Sequence, residues 1–417
     1  MPVSHLDQVI RAQKRGTTRG IYSICSAHPA VLRAAMRFAA GGPLLIESTS
    51  NQVNQSGGYT GMKARDFAAL VRRIAAGTGF PSERIILGGD HLGPLPWSHE
   101  PAAEAMSKAR VLVRECVQAG YTKIHLDASM RCADDGELTT DEIAERTVDL
   151  ARVAEQAAAA NLRYVVGSEV PSAGGALAGD AALRVTTPAA ARGTMKAMRE
   201  AFAKAGLART WKRVIALVVQ PGVEFGDESV HPYVRRDAAG LKRLIHSTPG
   251  VVYEAHSTDY QRREALRKMV EDGFAILKVG PALTFAYREA VFALEVMAKE
   301  LGGPGGEGVS EALEAAMLAN PAYWQKYYRG SESQLRLARR FSRADRIRYY
   351  WTDVRVSLAV ERLFGCLQQR TIPQTLLSQY MPRQADRVRA GLLPNEAAAL
   401  AEDHIQELLA DYAAACA

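Results

Sequence analysis

The residues that could do chemistry in this 417-residue chain stand at the ends of apolar runs. Eight such runs turn polar at the same, C-terminal end. The first four close on Cys25-Ser26-Ala27-His28, on Glu47-Ser48-Thr49-Ser50-Asn51-Gln52, on Asp90-His91 and on Asp127-Ala128-Ser129. The later four close on Ser168-Glu169, Gln220, His256-Ser257-Thr258-Asp259 and Lys278-Val279-Gly280. His91 and His256 with Glu169 give imidazoles and a carboxylate, a set suited to Zn²⁺ or to another divalent ion such as Mn²⁺. Gln220 could add an amide oxygen. Asp90, Asp127, Glu169 and Asp259 qualify by position for general acid–base work beside that ion. The plainer role for one of these carboxylates is to orient a metal-bound imidazole. Adjacent strand residues point to opposite faces, so Asp90 and His91 share a site only if the strand has ended by then. Gly88-Gly89 before them and Gly93-Pro94 after them favour that ending. His125, two residues before Asp127, either lines the pocket or fills the interior.

The loop after the second run carries Asn51, Gln52 and Asn54. Amide side chains offer both a donor and an acceptor, which suits hydroxyl-rich ligands; the alternative is a loop that caps itself. Glu47 and Ser129 share the polar rim. The backbone amides of Ser257 and Gly280 are candidate anion binders, with Lys278 to neutralise charge. Cys25 reads as a small buried residue at a strand end, since no nucleophile's partners accompany it.

Positioning these groups falls to strands alternating with helices. The apolar runs cover 20–25, 43–48, 84–90, 122–127, 163–169, 214–220, 251–256 and 274–280. Helix-period segments lie between most of them, for example at 64–76, 102–119, 140–160, 188–205 and 237–246. Such alternation implies an α/β fold with a parallel sheet. Eight units over about 260 residues match a (β/α)8 TIM barrel, whose active sites gather at the C-terminal ends of its strands. The alternative, a doubly wound open sheet, needs a phosphate-binding glycine loop after a strand. The one GxGxxG match, at 303–308, follows a helical pattern, and no GxxxxGK[ST] occurs. The barrel therefore spans 1–301, and the glycine-rich run 302–308 breaks the pattern. Beyond it, 309–417 reads as a C-terminal all-helical extension, with helices at 310–318, 321–328, 343–350, 353–367 and 395–415. It either covers a face of the barrel, makes an oligomer contact or stands alone.

Composition excludes several classes. An apolar fraction of 47% rules out a disordered chain, and no apolar run approaches a membrane span. The N-terminus lacks the apolar centre of a signal peptide, so a cytoplasmic location is expected. Five scattered Cys make no disulfide framework. The net charge of +7 is mostly interspersed, densest at Arg336, Arg339, Arg340, Arg343, Arg346 and Arg348. It reads as a solvated surface, and nucleic acid is not an expected partner.

The wording of the strand ends is also familiar. Ser26-Ala27-His28-Pro29, the stretch 47–55, Gly88-Gly89-Asp90-His91-Leu92-Gly93-Pro94 and the stretch 123–130 carry the likeness, with 220–225, 253–260 and 345–351. Together they resemble the family of D-tagatose-bisphosphate aldolase non-catalytic subunits and D-tagatose 6-phosphate 4-epimerases, itself similar to class II aldolases. The resemblance implies a metal-dependent barrel, with His91 and His256 on the metal and Asp90 as proton carrier. The aldolases' further metal His is missing here, where Val219-Gln220-Pro221-Gly222 stands, leaving Glu169 or Gln220 as replacement. It implies C4 epimerisation of a phosphorylated ketohexose in galactitol or tagatose catabolism, or a stabilising role beside a class II aldolase subunit. A homo-oligomer is expected. Since the C4 proton is β to the carbonyl and not acidic, inversion there calls for cleavage and re-formation of C3–C4, with Glu169 and Asp90 or Asp259 moving the O4 proton.

Overall fold

The computed structural model describes residues 4–39, 42–157, 161–168, 183–303 and 305–417. The expected runs become parallel strands: β1 (Ile21–Ile24), β2 (Leu44–Thr49), β3 (Ile85–Leu92), β4 (Lys123–Leu126), β5 (Arg163–Val166) and β6 (Val214–Val218). A small antiparallel hairpin, β7 (Glu224–Phe225) and β8 (Val230–His231), interrupts them before β9 (Val252–Ala255) and β10 (Phe274–Val279). Eight strands close in the order β1-β10-β9-β6-β5-β4-β3-β2, so the fold is a TIM barrel and the open-sheet alternative falls. β-Branched and aliphatic residues fill these strands because both of their faces are buried.

An N-terminal helix, His5–Lys14, packs Leu6, Val9 and Ile10 against Ile21, Leu45 and Ile276. Asp7 on this helix pairs with Arg163 at the start of β5 (2.7 Å). The helix thus closes the barrel at the end away from the polar rim. That leaves the C-terminal strand ends as the open mouth.

The extension shares the barrel's core. Its last helix, Ala397–Cys416, packs on the helices Pro29–Phe38, Arg263–Glu271 and Pro281–Glu300, and buries Leu400, Leu409 and Tyr412. Glu402 on that helix binds Arg33 (2.9 Å) and Arg37 (2.5 Å). The Gly20 amide donates to the Cys416 carbonyl (2.9 Å), which ties the helix to the chain just before β1. Several extension helices differ from expectation. The segments around 321–328 and 343–350 form only the 3-10 turns Pro321–Tyr323 and Arg346–Tyr349. Helices appear instead at Glu332–Phe341, where Ser331 and Gln334 make a capping box, and at Gln374–Tyr380 and Pro382–Arg389. Pro382 stands at the start of its helix, where its missing N–H is unneeded in the first turn.

Candidate active site

Side chains alternate along each strand, so Lys123 and His125 share one face of β4, and Glu254 faces the barrel with His256 just beyond β9. Their inward faces meet. Lys123 Nζ lies 2.8 Å from Glu47 Oε2 and 2.6 Å from Glu254 Oε2. Lys278 Nζ lies 2.6 Å from Asp90 Oδ1, 3.1 Å from Glu47 Oε1 and 3.8 Å from Glu254 Oε1. Ser23 donates to Glu47 Oε1 (2.6 Å). In the sheet register Gly88 stands between Glu47 and Lys123. A Cβ there would sit 2.8 Å from Glu47 Cγ, so the missing side chain lets the carboxylate cross to the ammonium. Glu47 is fully buried in this network and does not line the cavity above it. Its expected contact with substrate is therefore corrected to an interior ion pair.

Above this layer lie the histidines. Asp90, His125, Glu254 and His256 place one donor atom each within 4.8 Å of one another, all buried. His91 joins them, its ring centroid 4.9 Å from that of His256 and 5.2 Å from that of His125. Asp90 and His91 do reach one site, but not because the strand ends. β3 runs on through Leu92, with an irregular register to β4, and His91 adopts φ 49°. That left-handed residue undoes the alternation and turns the imidazole back to the side of Asp90.

The protonation states of Asp90, Glu254 and His256 suit a cation, whereas Asp90 and Asp127 raise the pKa of His91 against its burial. Burial opposes charge on Asp90, yet His91, Lys278 and His125 hold its carboxyl well below the usual range. Burial likewise opposes charge on Glu254, and Lys123 and Lys278 overcome it. Burial pushes His256 down to about 3, so its imidazole is neutral. His125 Nδ1 lies 2.8 Å from Asp90 Oδ1. The backbone amide of His91 also donates to that Nδ1 (3.2 Å), and Nε2 is the other ring nitrogen. Among the described residues that Nε2, which is buried, has no hydrogen-bond partner. Ionised carboxylates and neutral imidazoles are the forms that bind metal. Two ammonium groups, Lys123 and Lys278, face the three carboxylates of Asp90, Glu47 and Glu254, an excess of negative charge that favours a cation. The donor set fits a divalent metal.

A cavity of about 460 Å³ opens above the cluster. Asn51, Gln52, Asp90, His91, His256, Ser257, Asp259, Lys278 and Gly280 line it as expected of a site at the barrel mouth. The others sit elsewhere. Asp127 lies behind His91, accepting from Nδ1 (2.7 Å), and Ser129 donates to Asp127 Oδ1 (2.6 Å). The His91 contact, with burial opposing, keeps the Asp127 pKa at about 2. Asn54 caps its own loop, its side-chain oxygen accepting from Ser56 and Gly58 amides. Gln220 Oε1 accepts from the Gly222 (2.8 Å) and Val223 (3.1 Å) amides, which uses both of its lone pairs and leaves none for a metal. The amide of Gly280, expected to bind an anion, donates to Asp259 Oδ1 (3.0 Å), which also accepts from Ala282 (2.8 Å). The anion at that helix N-terminus is the chain's own carboxylate. Glu169 lies outside the described residues.

Strand-end reading passed over His125 as undecided and missed Glu254, although Glu254 and His256 are two apart and so share a face. It also missed the cavity wall built by the extension, where Arg348, Tyr349 and Trp351 join Tyr59 and His28.

A family model described as D-tagatose-1,6-bisphosphate aldolase subunit GatZ/KbaZ-like matches residues 6–417. The chain belongs to the GatZ/KbaZ-like family. A crystal structure of a probable tagatose 6 phosphate kinase from Sinorhizobium meliloti 1021 is 48% identical, with TM-score 0.89 over 95% of this chain and 100% of that one. The two-glycerol complex of the fructuronate-tagaturonate epimerase UxaE from Cohnella laeviribosi shares the fold at 11% identity and TM-score 0.50, over 95% of this chain and 82% of that one. Among the described residues of this GatZ/KbaZ-like chain, no helix is long and apolar enough to cross a membrane.

Proposed function

We propose that the chain is a metal-dependent ketose-phosphate 4-epimerase that interconverts D-tagatose 6-phosphate and D-fructose 6-phosphate in cytoplasmic galactitol or tagatose catabolism. The observation that carries this reading is the buried set Asp90, His125, Glu254 and His256 at the floor of the cavity in the barrel mouth. These residues would hold the ion, Zn²⁺ by donor type, with His91 beside them. When bound, the ion supplies a Lewis acid for the ketose carbonyl. Asn51 presents its amide to the sugar hydroxyls, whereas Gln52 accepts from the Thr49 amide (3.0 Å) and donates to the Cys25 carbonyl (3.2 Å), which fixes the wall beside it.

A cavity base takes the O4 proton, and C3–C4 breaks with its electron pair passing into a C2–C3 enediolate. The three-carbon aldehyde turns over, C3 attacks its other face, and O4 regains a proton. His91, oriented by Asp127, and Asp259 are the described cavity groups able to hold that proton, with Glu169 a third candidate. Asp90 is tied to Lys278 and His125, and we assign it to the ion rather than to proton transfer. The chemistry is tested with D-tagatose 6-phosphate deuterated at C4. Cleavage and re-formation keep the label on carbon in the fructose 6-phosphate formed; release of the label to solvent would exclude it.

The family description supports a second reading, a subunit that stabilises a class II aldolase. Nucleotide-driven phosphate transfer has less support, since the sequence has no GxxxxGK[ST] and its GxGxxG follows a helix.

A further inference from the structure

Among the described residues, Lys278 and Arg348 are the lysine and arginine of the cavity wall. Lys278 is already matched by Asp90, Glu47 and Glu254. Arg348 is not. Among the described residues it makes no ion pair with a carboxylate. Its guanidinium donates to the carbonyls of Ala344 and Asp345 and to the hydroxyl of Tyr349 (2.9 Å). The nearby Asp345 carboxylate is turned away, accepting from Thr284 (2.6 Å) and pairing with Arg288 (3.3 Å).

The group is held in place. Asp345 adopts φ 45° and starts the 3-10 turn that carries Arg348. The adjoining Tyr349 ring stacks on Tyr323 at 4.7 Å and meets the edge of Tyr59 at 4.5 Å. A fixed guanidinium without a direct carboxylate partner, beside a tyrosine hydroxyl on a cavity wall, is a binder of compact oxyanions.

We propose that Arg348 is the anion-recognising residue of the cavity, taking the anionic terminal group of a sugar whose hydroxyl-bearing end reaches the carboxylate–imidazole floor. This rests on the reading that the cavity holds a ketose phosphate, and it gives the helical extension a part in choosing the ligand. The shared chemistry is a terminal oxyanion, either a phosphate ester or a carboxylate.

Calorimetric titration with unreactive probes tests it: galactitol, galactitol 6-phosphate and D-galactonate, against the wild type, Arg348→Met and Arg348→Lys. The wild type should bind galactitol 6-phosphate at least about tenfold more tightly than galactitol. Arg348→Met should bind the two alike, with the wild type's galactitol affinity retained. Arg348→Lys keeps the charge without the planar fork and should retain part of the preference, which serves if the Met variant does not fold. A preference shown only by D-galactonate, and lost in Arg348→Met, supports the anion site with a carboxylate as its source. A phosphate preference that survives in Arg348→Met, or no anion preference in the wild type, overturns the proposal. Failure to turn over D-tagatose 6-phosphate would leave these affinities standing and count against the epimerase reading alone.

Discussion

Asp259 holds a buried carboxylate against the amides of Gly280 and Ala282, and burial pushes its pKa up to about 6 despite those two donors. Arg348, Tyr260 and Tyr412 also face it. A raised carboxyl pKa means that the folded state binds the proton more tightly than the unfolded chain does. Its contribution to stability therefore falls as pH rises from about 4 to about 6, by on the order of 3 kcal/mol. Asp259→Asn keeps an oxygen for both amides and removes the titration. Urea unfolding should show the variant gaining on the wild type by an amount of that order between pH 4 and pH 7; a constant difference would show that Asp259 does not titrate there. Lys123 makes a second residue-scale test. Replacing it by Met leaves Lys278 alone to balance Glu47, Glu254 and Asp90, and should cost about 3–5 kcal/mol in urea unfolding. A loss near zero would mean that the carboxylates find water. At this scale the strand ends were readable because polar residues there interrupt apolar runs. Glu254 escaped notice because a carboxylate inside an apolar strand makes sense only once Lys123 is known to lie across the barrel. Arg348 escaped because a run of arginines looks like solvated surface until the 3-10 turn folds it inward.

Each barrel strand works through its register. Gly88 in β3 separates Glu47 from Lys123, so Gly88→Ala should push Glu47 off the ammonium and cost about 1–3 kcal/mol in unfolding free energy. An unchanged stability would show that Glu47 swings aside freely. Gly93 plays a related part: a Cβ there would fall 1.7 Å from the carbonyl oxygen of Asp127, so the close approach of the chain after β3 to the end of β4 requires glycine. The strands were legible as apolar runs bounded by helix-period segments. The bulge at His91 was not, since an irregular register depends on how β3 and β4 meet. The helix Glu332–Phe341 was hidden for another reason. It presents few apolar positions, and its buried Arg339 is matched by Glu314 (2.6 Å) and Glu332 (2.6 Å), partners that pattern reading does not pair.

At the scale of the whole molecule, the extension packs into the larger hydrophobic core around the barrel, and it supplies part of the cavity wall. Tyr412 donates to the Thr258 carbonyl (2.8 Å), which links the last helix to the loop carrying Asp259. Calorimetry should therefore show a single cooperative unfolding transition, and two resolved transitions would contradict this. The glycine-rich run at 302–308 suggested a boundary because sequence shows where a chain turns, not what packs across the turn. The central claim is that this chain, alone and with a divalent metal, interconverts ketose phosphates at the buried cluster. Purified protein incubated with D-tagatose 6-phosphate and Zn²⁺ or Mn²⁺, with fructose 6-phosphate followed by a coupled assay, tests it most directly. The account predicts steady formation of fructose 6-phosphate that stops on adding a chelator and is lost in His256→Ala. No product with any divalent metal, from a chain that nonetheless raises the activity of a class II aldolase, would contradict it.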